Sequence, residues 1–138
     1  MKRPVRNDYK LSESVAHMKE MITAICFSLL ATSAMARENL TQRPEFVNAV
    51  AGHILEIPLL RIQLRVSDTG EIAGKGFGRD VTGTWEWIDG FFCRSMTWGG
   101  RELEYNCQQV ATDGSSLIFI SDKGKGRSAK FSLRPATP

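Results

Sequence analysis

Short alternating segments separated by turn residues are the feature that most limits what this chain can fold into. The segment Leu60–Val66 alternates apolar side chains with Arg and Gln, and similar segments continue to Leu133. Turn signals recur about every eight to fifteen residues, a rhythm typical of hairpin-connected strands. The pattern predicts a mainly β (α+β) fold, an antiparallel meander of about six to seven strands in a curved sheet or small barrel. No long helical pattern separates the segments, which argues against a parallel α/β sheet.

One short N-terminal helix is predicted ahead of the strands. The segment Pro44–Gly52 has Pro and Glu in its first turn and Gly just past its end, which are helix start and stop signals. We expect the helix to plug an open side of the sheet. A short strand is expected at 53–57. Residues 37–43 are expected to be a polar segment that leads into the helix. The face predicted to pack on the sheet consists of Phe46, Val47, Val50 and Ala51.

An export signal is predicted at the N-terminus. Residues 21–30 carry no charge, and the small residues Ala34-Met35-Ala36 follow shortly after. A short apolar run followed by Ala-x-Ala is the pattern of a cleaved secretory signal, and it is too short for a stable membrane span. We predict a signal peptide region at 1–36, cleavage after Ala36, and a periplasmic or secreted location. Because this region exceeds the usual ~15–30 residues, Met18 is the expected true start.

Removal of the signal changes the charge of the protein. The chain has 18 Lys+Arg and 15 Asp+Glu, a net charge of +3. Residues 1–36 hold five of these basic and three of these acidic residues, so 13 basic and 12 acidic residues remain, a net charge of +1. The single mature β-rich domain predicted at 37–138 is therefore nearly neutral, and we expect no nucleic-acid partner. We expect it to be a monomer.

Two of the three cysteines are predicted to form a disulfide. Cys26 lies in the signal, which leaves Cys93 and Cys107 in an exported small domain, the setting in which disulfides form. Gly99-Gly100 between strand-like segments is a hairpin signal. A three-residue loop, with Trp98 opposite Glu102, places the cysteines opposite each other; a two-residue loop does so only if a bulge is present.

Metal, redox and nucleophilic chemistry lack their usual residue patterns in this chain. Zinc needs four ligands, and the mature chain offers two cysteines and the single His53. The chain has no Cys-x-x-Cys pair and no nucleophile elbow around its serines. We therefore expect no metal, no cofactor and no catalytic residue of these types. Four carboxylates are predicted on a solvated face opposite Arg94 and Arg101: Glu86, Asp89, Glu102 and Glu104.

Glycine-rich and lysine-rich segments have ordinary structural interpretations. The glycines at 74, 76 and 78 precede another strand-like segment instead of a helix, so we predict sheet curvature and close packing by Trp, not a phosphate loop. The glycines at 124 and 126 are predicted to form a hairpin tip. A basic cluster near the last hairpin can contact anionic lipid or polysaccharide: Lys123, Lys125, Arg127 and Lys130.

The aromatic residues of the central strands allow two interpretations. They can line a ligand cavity, or they can form the core of a small domain and pack against the disulfide. The residues concerned are Trp85, Trp87, Trp98 and Tyr105.

The central block of the sequence resembles one group of proteins. The motifs are Trp85-x-Trp87, Asp89-Gly90-x-Phe92-Cys93-Arg94, Trp98-x-Gly100 and Tyr105-Asn106-Cys107-Gln108. They resemble small exported alphaproteobacterial proteins of uncharacterised function, some of which carry the name dihydrodipicolinate reductase. That name implies a cytoplasmic enzyme with a nucleotide-binding domain. This chain lacks the strand–Gly-x-x-Gly-x-x-Gly–helix unit such a domain needs. We expect the name to be a misannotation and assign no catalytic residue from it.

These observations predict a non-enzymatic binding or interaction module of the cell envelope, stapled by one disulfide. Its partner is expected to be a small ligand or an envelope protein. Two alternatives remain open. One is an enzyme of unrecognised type that acts on envelope components through Glu86, Glu102 or Glu104. The other is an inhibitor of envelope hydrolases.

Overall fold

The structure of the protein is a computed structural model, and it describes residues 36–137. Apart from Ala36, the predicted signal region, including Met18 and Cys26, lies outside the described residues. In chain order the elements are β1 (Glu38–Leu40), α1 (Arg43–Val50), β2 (His53–Ile57), a 3-10 helix (Pro58–Leu60), β3 (Ile62–Val66), β4 (Glu71–Gly76), β5 (Arg79–Ile88), β6 (Phe91–Trp98), β7 (Arg101–Thr112), β8 (Ser116–Ile120), the helical turn α2 (Ser121–Gly124) and β9 (Ser128–Pro135).

Strands β2 to β9 form a closed antiparallel barrel. Each of these strands pairs with its neighbours in sequence, and β2 closes the barrel by pairing with β9. The predicted mainly β class and the single domain are therefore confirmed for the described part of the chain, and the barrel alternative is the correct one. Closure removes exposed sheet edges, which would otherwise promote aggregation. Among residues 36–137, no helix has the length and apolar content needed to cross a bilayer.

The strand count is higher than the sequence predicted. The barrel has eight strands, and β1 is a ninth strand in the region expected to be a polar segment. It pairs with the end of β7, where Leu40 lies opposite Val110. Leu40 is buried in the core. Burial of this one apolar side chain favours strand pairing by a segment that is otherwise polar.

The turn between β2 and β3 also differs from the prediction. The alternating pattern placed Leu60 in a strand, but Pro58–Leu60 forms a 3-10 helix and β3 begins at Ile62. Pro58 has no N–H for a strand ladder and a φ that suits a helical first turn. Arg61 then adopts a left-handed conformation with φ of 50°, which reverses the chain into β3.

Helix α1 closes one end of the barrel with an aromatic plug. Phe46 is fully buried, and its ring centroid lies 5.1 Å from Trp85 and 5.0 Å from Phe92. The Glu45 carboxylate accepts hydrogen bonds from the backbone amides of Thr41 and Gln42 at 2.9 and 3.0 Å. The bond from Gln42 belongs to a capping box, whose other half is the Gln42 side chain accepting from the Glu45 amide. The backbone amides of Gln42 and Thr41, with Gln42 first, lower the pKa of Glu45. The predicted helix and the packing of Phe46, Val47 and Val50 are confirmed, whereas Ala51, predicted on the same face, lies past the helix end and is exposed.

The disulfide hairpin has a bulge in its second strand. Cys93 and Cys107 lie directly opposite each other and form the predicted disulfide. Trp98 pairs with Arg101, so the turn contains two residues, and the predicted three-residue loop is wrong. The register shifts by one between Arg94 and Met96. The bulge, which was the alternative in the prediction, is therefore what brings the cysteines together.

Two glycines allow neighbouring strands to approach closely. A Cβ atom at Gly74 would overlap the backbone of Gln63, and one at Gly83 would overlap the carbonyl oxygen of Ser95. The glycine-rich end of β4 also receives a Trp side chain, because the indole N–H of Trp98 donates to the Gly76 carbonyl at 2.7 Å. The predicted close packing by Trp is therefore found at Gly76, and close strand approach accounts for Gly74.

Candidate functional site

A cavity of about 190 Å³ lies inside the barrel. Its walls come from strands on all sides, because alternate residues of each strand point inward. Ala129, at the start of β9, lines the cavity and is also exposed to solvent, so the cavity opens beside it. The lining is mainly apolar and includes two polar side chains, those of Arg94 and Gln108. The apolar walls include Leu55, Leu64, Ile72, Met96, Phe119 and Phe131.

Arg94 is the charged group of this cavity. It lies on β6 between Phe92 and Met96 on the inward-facing side, and all three line the cavity. Its Nη1 donates to the Glu104 carbonyl oxygen at 2.6 Å. Burial lowers the pKa of Arg94, although a guanidinium stays charged. None of the ion pairs within residues 36–137 involves Arg94. A partly buried cation with donors to spare therefore faces an apolar space.

The barrel wall beside the cavity has a gap in its strand pairing. Strand β7 pairs with the shorter β8 only from Gln109 to Thr112. The 121–127 loop lies beside the earlier part of β7 instead: the Asn106 side chain donates to the Asp122 carboxylate at 2.7 Å and accepts from the Asp122 amide at 3.0 Å. Gln108 and Ala129 line the cavity on either side of this gap. The loop is thus the part of the wall that depends least on strand pairing.

The structure does not bring the four predicted aromatic residues to one site. Trp85 is buried at the α1 end, where it meets Phe46 edge-on, and Trp87 stacks on the Phe46 ring with centroids 5.3 Å apart. Trp98 lies near the opposite end, next to the turn after β4. Tyr105 is 57% exposed on the outside of the barrel. None of these four residues lines the Arg94 cavity.

The predicted carboxylates occupy the outer surface. Glu86, Glu102 and Glu104 are exposed. Glu102, Glu104 and Tyr105 line an outer groove of about 660 Å³ across β5, β6 and β7. Asp89 lies in the turn between β5 and β6. These groups face solvent and do not reach the interior.

The predicted basic cluster is divided by its contacts. Lys130 pairs with Asp113 at 2.8 Å, and the Lys123 ammonium lies 5.5 Å from the ring centroid of Phe91. Lys125 and Arg127 remain in the exposed loop after β8.

His53 forms no part of a metal site in the described chain. Its Nδ1 lies 2.8 Å from the Ala51 carbonyl oxygen. Residues 36–137 contain no group of three or more His, Cys, Asp or Glu side chains arranged to hold a metal ion.

Sequence reasoning missed the importance of Arg94 and Gln108. The available signal was the alternation Phe92-x-Arg94-x-Met96, in which a charge occupies an otherwise apolar face of a strand. A charge on such a face is rare unless it is paired or functional. The bulge after Arg94 could not be placed from the pattern, and without it the inward position of Gln108 is uncertain.

Comparisons with known proteins give no relative for this chain. No protein-family model, no curated protein and no solved structure matches it significantly. The functional inferences below therefore depend on the geometry and chemistry of the residues themselves.

Proposed function

We propose that the protein is an exported, non-enzymatic binding protein that holds a small amphiphile with a carboxylate or phosphate group inside its barrel. The observation that carries this proposal is Arg94, a partly buried guanidinium without a carboxylate partner in the described chain, at the wall of an apolar cavity. An eight-stranded barrel is wide enough to hold one small ligand. The disulfide between Cys93 and Cys107 is compatible with the oxidising compartment that export implies.

The size and lining of the cavity define the ligand. A cavity of 150 Å³ accommodates benzene, so the 190 Å³ here accommodates roughly six to ten non-hydrogen atoms. Leu55, Leu64 and Phe131 favour an alkyl chain or a ring. The guanidinium has five N–H donors, of which the Glu104 carbonyl occupies one. An anionic head group would use the others in charge-assisted hydrogen bonds.

Binding of octanoate and of octanol to the full chain tests the proposal. Calorimetric titration should show octanoate binding that weakens at least about tenfold in Arg94→Met, because one charged hydrogen bond contributes ~1.5–3 kcal/mol. Octanol binding should change much less, since the apolar walls remain. Arg65→Met, which removes an exposed arginine from the outer surface, is the matched control.

Two outcomes would contradict this function. One is equal octanoate affinity in Arg94→Met and the unsubstituted protein, and the other is no binding of any carboxylate from butyrate to dodecanoate. Export has its own test, which is N-terminal sequencing of the protein recovered from the cell envelope. A start at Arg37 supports export, and a start well before Arg37 counts against it.

A second candidate function, inhibition of envelope hydrolases, is favoured by the outer groove across β5, β6 and β7. Exposed Tyr105 together with Glu102 and Glu104 gives this groove an aromatic anchor and negative charge, features suited to a cationic protein surface. Turnover of a cationic peptidoglycan hydrolase, measured with the protein and with its Tyr105→Ala variant, tests it. Unchanged turnover in the presence of excess protein would remove this candidate.

A further inference from the structure

We propose that the end of the barrel opposite α1 docks on a lipid bilayer that contains anionic phospholipid. This end carries four turns, which connect β2 to β3, β4 to β5, β6 to β7 and β8 to β9. The inference rests on the charges and exposed apolar side chains of these turns. It does not depend on the Arg94 cavity.

Charge is divided between the two ends of the barrel. We call the end with these four turns the basic end and the end closed by α1 the acidic end, and we count turn residues with the strand residues next to them. The basic end carries five basic residues and one acidic residue: Arg61, Arg79, Arg101, Lys125, Arg127 and Asp122. Lys123 belongs to the same turn as Lys125, but its ammonium lies against Phe91, next to the Asp89 turn, and is not counted. The three strand-connecting turns of the acidic end carry four acidic residues and no basic residue: Asp68, Glu71, Asp89 and Asp113.

The basic end also exposes large apolar side chains at the tips of its turns. Leu59 is 92% exposed and Leu60 is 37% exposed in the turn after β2, and Phe77 is 57% exposed in the turn after β4. The Phe77 ring packs against Trp98 with centroids 5.9 Å apart. We call Leu59, Leu60, Phe77 and Trp98 the apolar rim.

The turns that carry the apolar rim lie side by side. A Cβ atom built at Gly76 would lie 3.6 Å from both the Ile62 and the Trp98 side chains, so the beginning of β3 and the end of β6 meet at Gly76. The Arg79 guanidinium lies 5.3 Å from the Trp98 ring centroid. Basic and apolar groups are therefore interleaved on one surface.

Phe77 is an unfavourable residue for the turn it occupies. It has φ of 51° and precedes Gly78 with φ of 77° in a two-residue hairpin turn. Both central positions of such a turn need positive φ, for which Asn-Gly is preferred and a bulky side chain is strained. Placing Phe here costs stability, and the contact with Trp98 still leaves the side chain 57% exposed.

An anionic bilayer complements this surface in both respects. Exposed Leu and Phe side chains can enter the boundary between head groups and acyl chains, while Arg and Lys contact phosphate groups. The other end attracts the same membrane less, because its turns carry acidic residues, although Asp113 is paired with Lys130 and Arg43 lies beside Asp68. This difference favours docking by the basic end.

Flotation of the full chain with phospholipid vesicles tests the apolar part of the proposal. We expect binding to vesicles of equal phosphatidylglycerol and phosphatidylcholine, and much weaker binding to phosphatidylcholine alone. Leu59→Ser with Phe77→Ser should weaken binding on the order of tenfold or more, because two apolar side chains no longer leave water. Ile88→Ser is the matched control, since Ile88 is 40% exposed at the acidic end.

Three substitutions at the basic end test the electrostatic part: Arg61→Asn, Arg101→Gln and Lys125→Gln. Asn tolerates the left-handed conformation of Arg61, so folding is preserved. Each lost charge should weaken vesicle binding about fivefold at low salt. Arg37→Gln with Arg65→Gln removes exposed positive charge elsewhere and should change binding little.

Several results would overturn this proposal. They are no binding to the mixed vesicles, equal binding to both vesicle types, and equal losses in the rim variants and in Ile88→Ser. Displacement by millimolar glycerol phosphate would instead indicate a site for a soluble anion. Capture of a protein by the apolar rim without vesicle binding would replace the bilayer with a protein partner. Arg94→Met should float like the unsubstituted protein, so the cavity proposal can fail independently.

Discussion

Replacement of Phe46 by Ala should remove most of the stability that α1 gives to the barrel. Phe46 has no exposed surface, and four aromatic ring centroids lie within 6.2 Å of its own. Loss of a buried Phe side chain costs about 3–5 kcal/mol through lost transfer energy and the remaining cavity. Domains of this size have ~5–15 kcal/mol of stability in total, so Phe46→Ala should leave the protein close to unfolding.

Urea denaturation followed by tryptophan fluorescence measures this loss. Trp85 and Trp87 both contact Phe46, so their emission should report the empty space even in the folded variant. In thermal unfolding, each kcal/mol of lost stability lowers the melting temperature of a domain of this size by roughly 4–8 °C. The melting temperature of Phe46→Ala should therefore fall on the order of 20 °C. Val47→Ala, on the same helix but only partly buried, is the control and should cost about 1 kcal/mol. A loss below about 1 kcal/mol in Phe46→Ala would refute the role of α1 as a plug.

Two further predictions concern the disulfide and an acidic turn. Replacing both Cys93 and Cys107 with Ala should lower stability by about 3 kcal/mol, since the bond closes a loop with a sequence separation of 14; an unchanged urea midpoint would contradict it. The Lys130 ammonium, followed by the amide and hydroxyl of Ser115, holds the pKa of Asp113 well below its ordinary value. Because the folded-state pKa is the lower one, its stabilising effect is present above about pH 4 and is lost as the pH falls further. Asp113→Asn should therefore lower the free energy of unfolding at pH 7 and reduce the loss of stability that the protein shows below about pH 4. An unchanged loss of stability at acidic pH would contradict the stabilising role of the Asp113 carboxylate.

Local sequence signals were sufficient for the elements whose structure is decided by neighbouring residues. The helix start, predicted at Pro44 and found at Arg43, and the alternation of the strands are of this kind. Gly99-Gly100 marked the position of its turn but not the length of the loop. β1 could not be predicted in the same way, because it is three residues long and pairs with Val110, 70 positions after Leu40. Closure between β2 and β9 is equally nonlocal. Such pairings depend on how all strands pack around the shared interior. They cannot be predicted from the sequence of any single segment.

The candidate site was less predictable than the fold for a related reason. The inward charge of Arg94 is visible in the alternation of β6, but the cavity beside it is enclosed by residues from seven different strands. The gap in strand pairing beside it depends on the length of β8 relative to β7. Charges and turn types can be read locally, whereas the volume between strands can be known only once the barrel is closed.

Residues that violate local rules are concentrated away from the α1 end. Around Phe46 the helix has its cap, the aromatic rings are buried, and sequence and structure agree. Arg94 faces an apolar cavity, Phe77 has a strained conformation and an exposed ring, and Leu59 is almost fully exposed. Natural sequences are consistent across levels except where function requires otherwise. If the two proposals hold, substitutions at the α1 end should affect stability and substitutions at the cavity or the basic end should affect binding, and the two sets of effects should be separable.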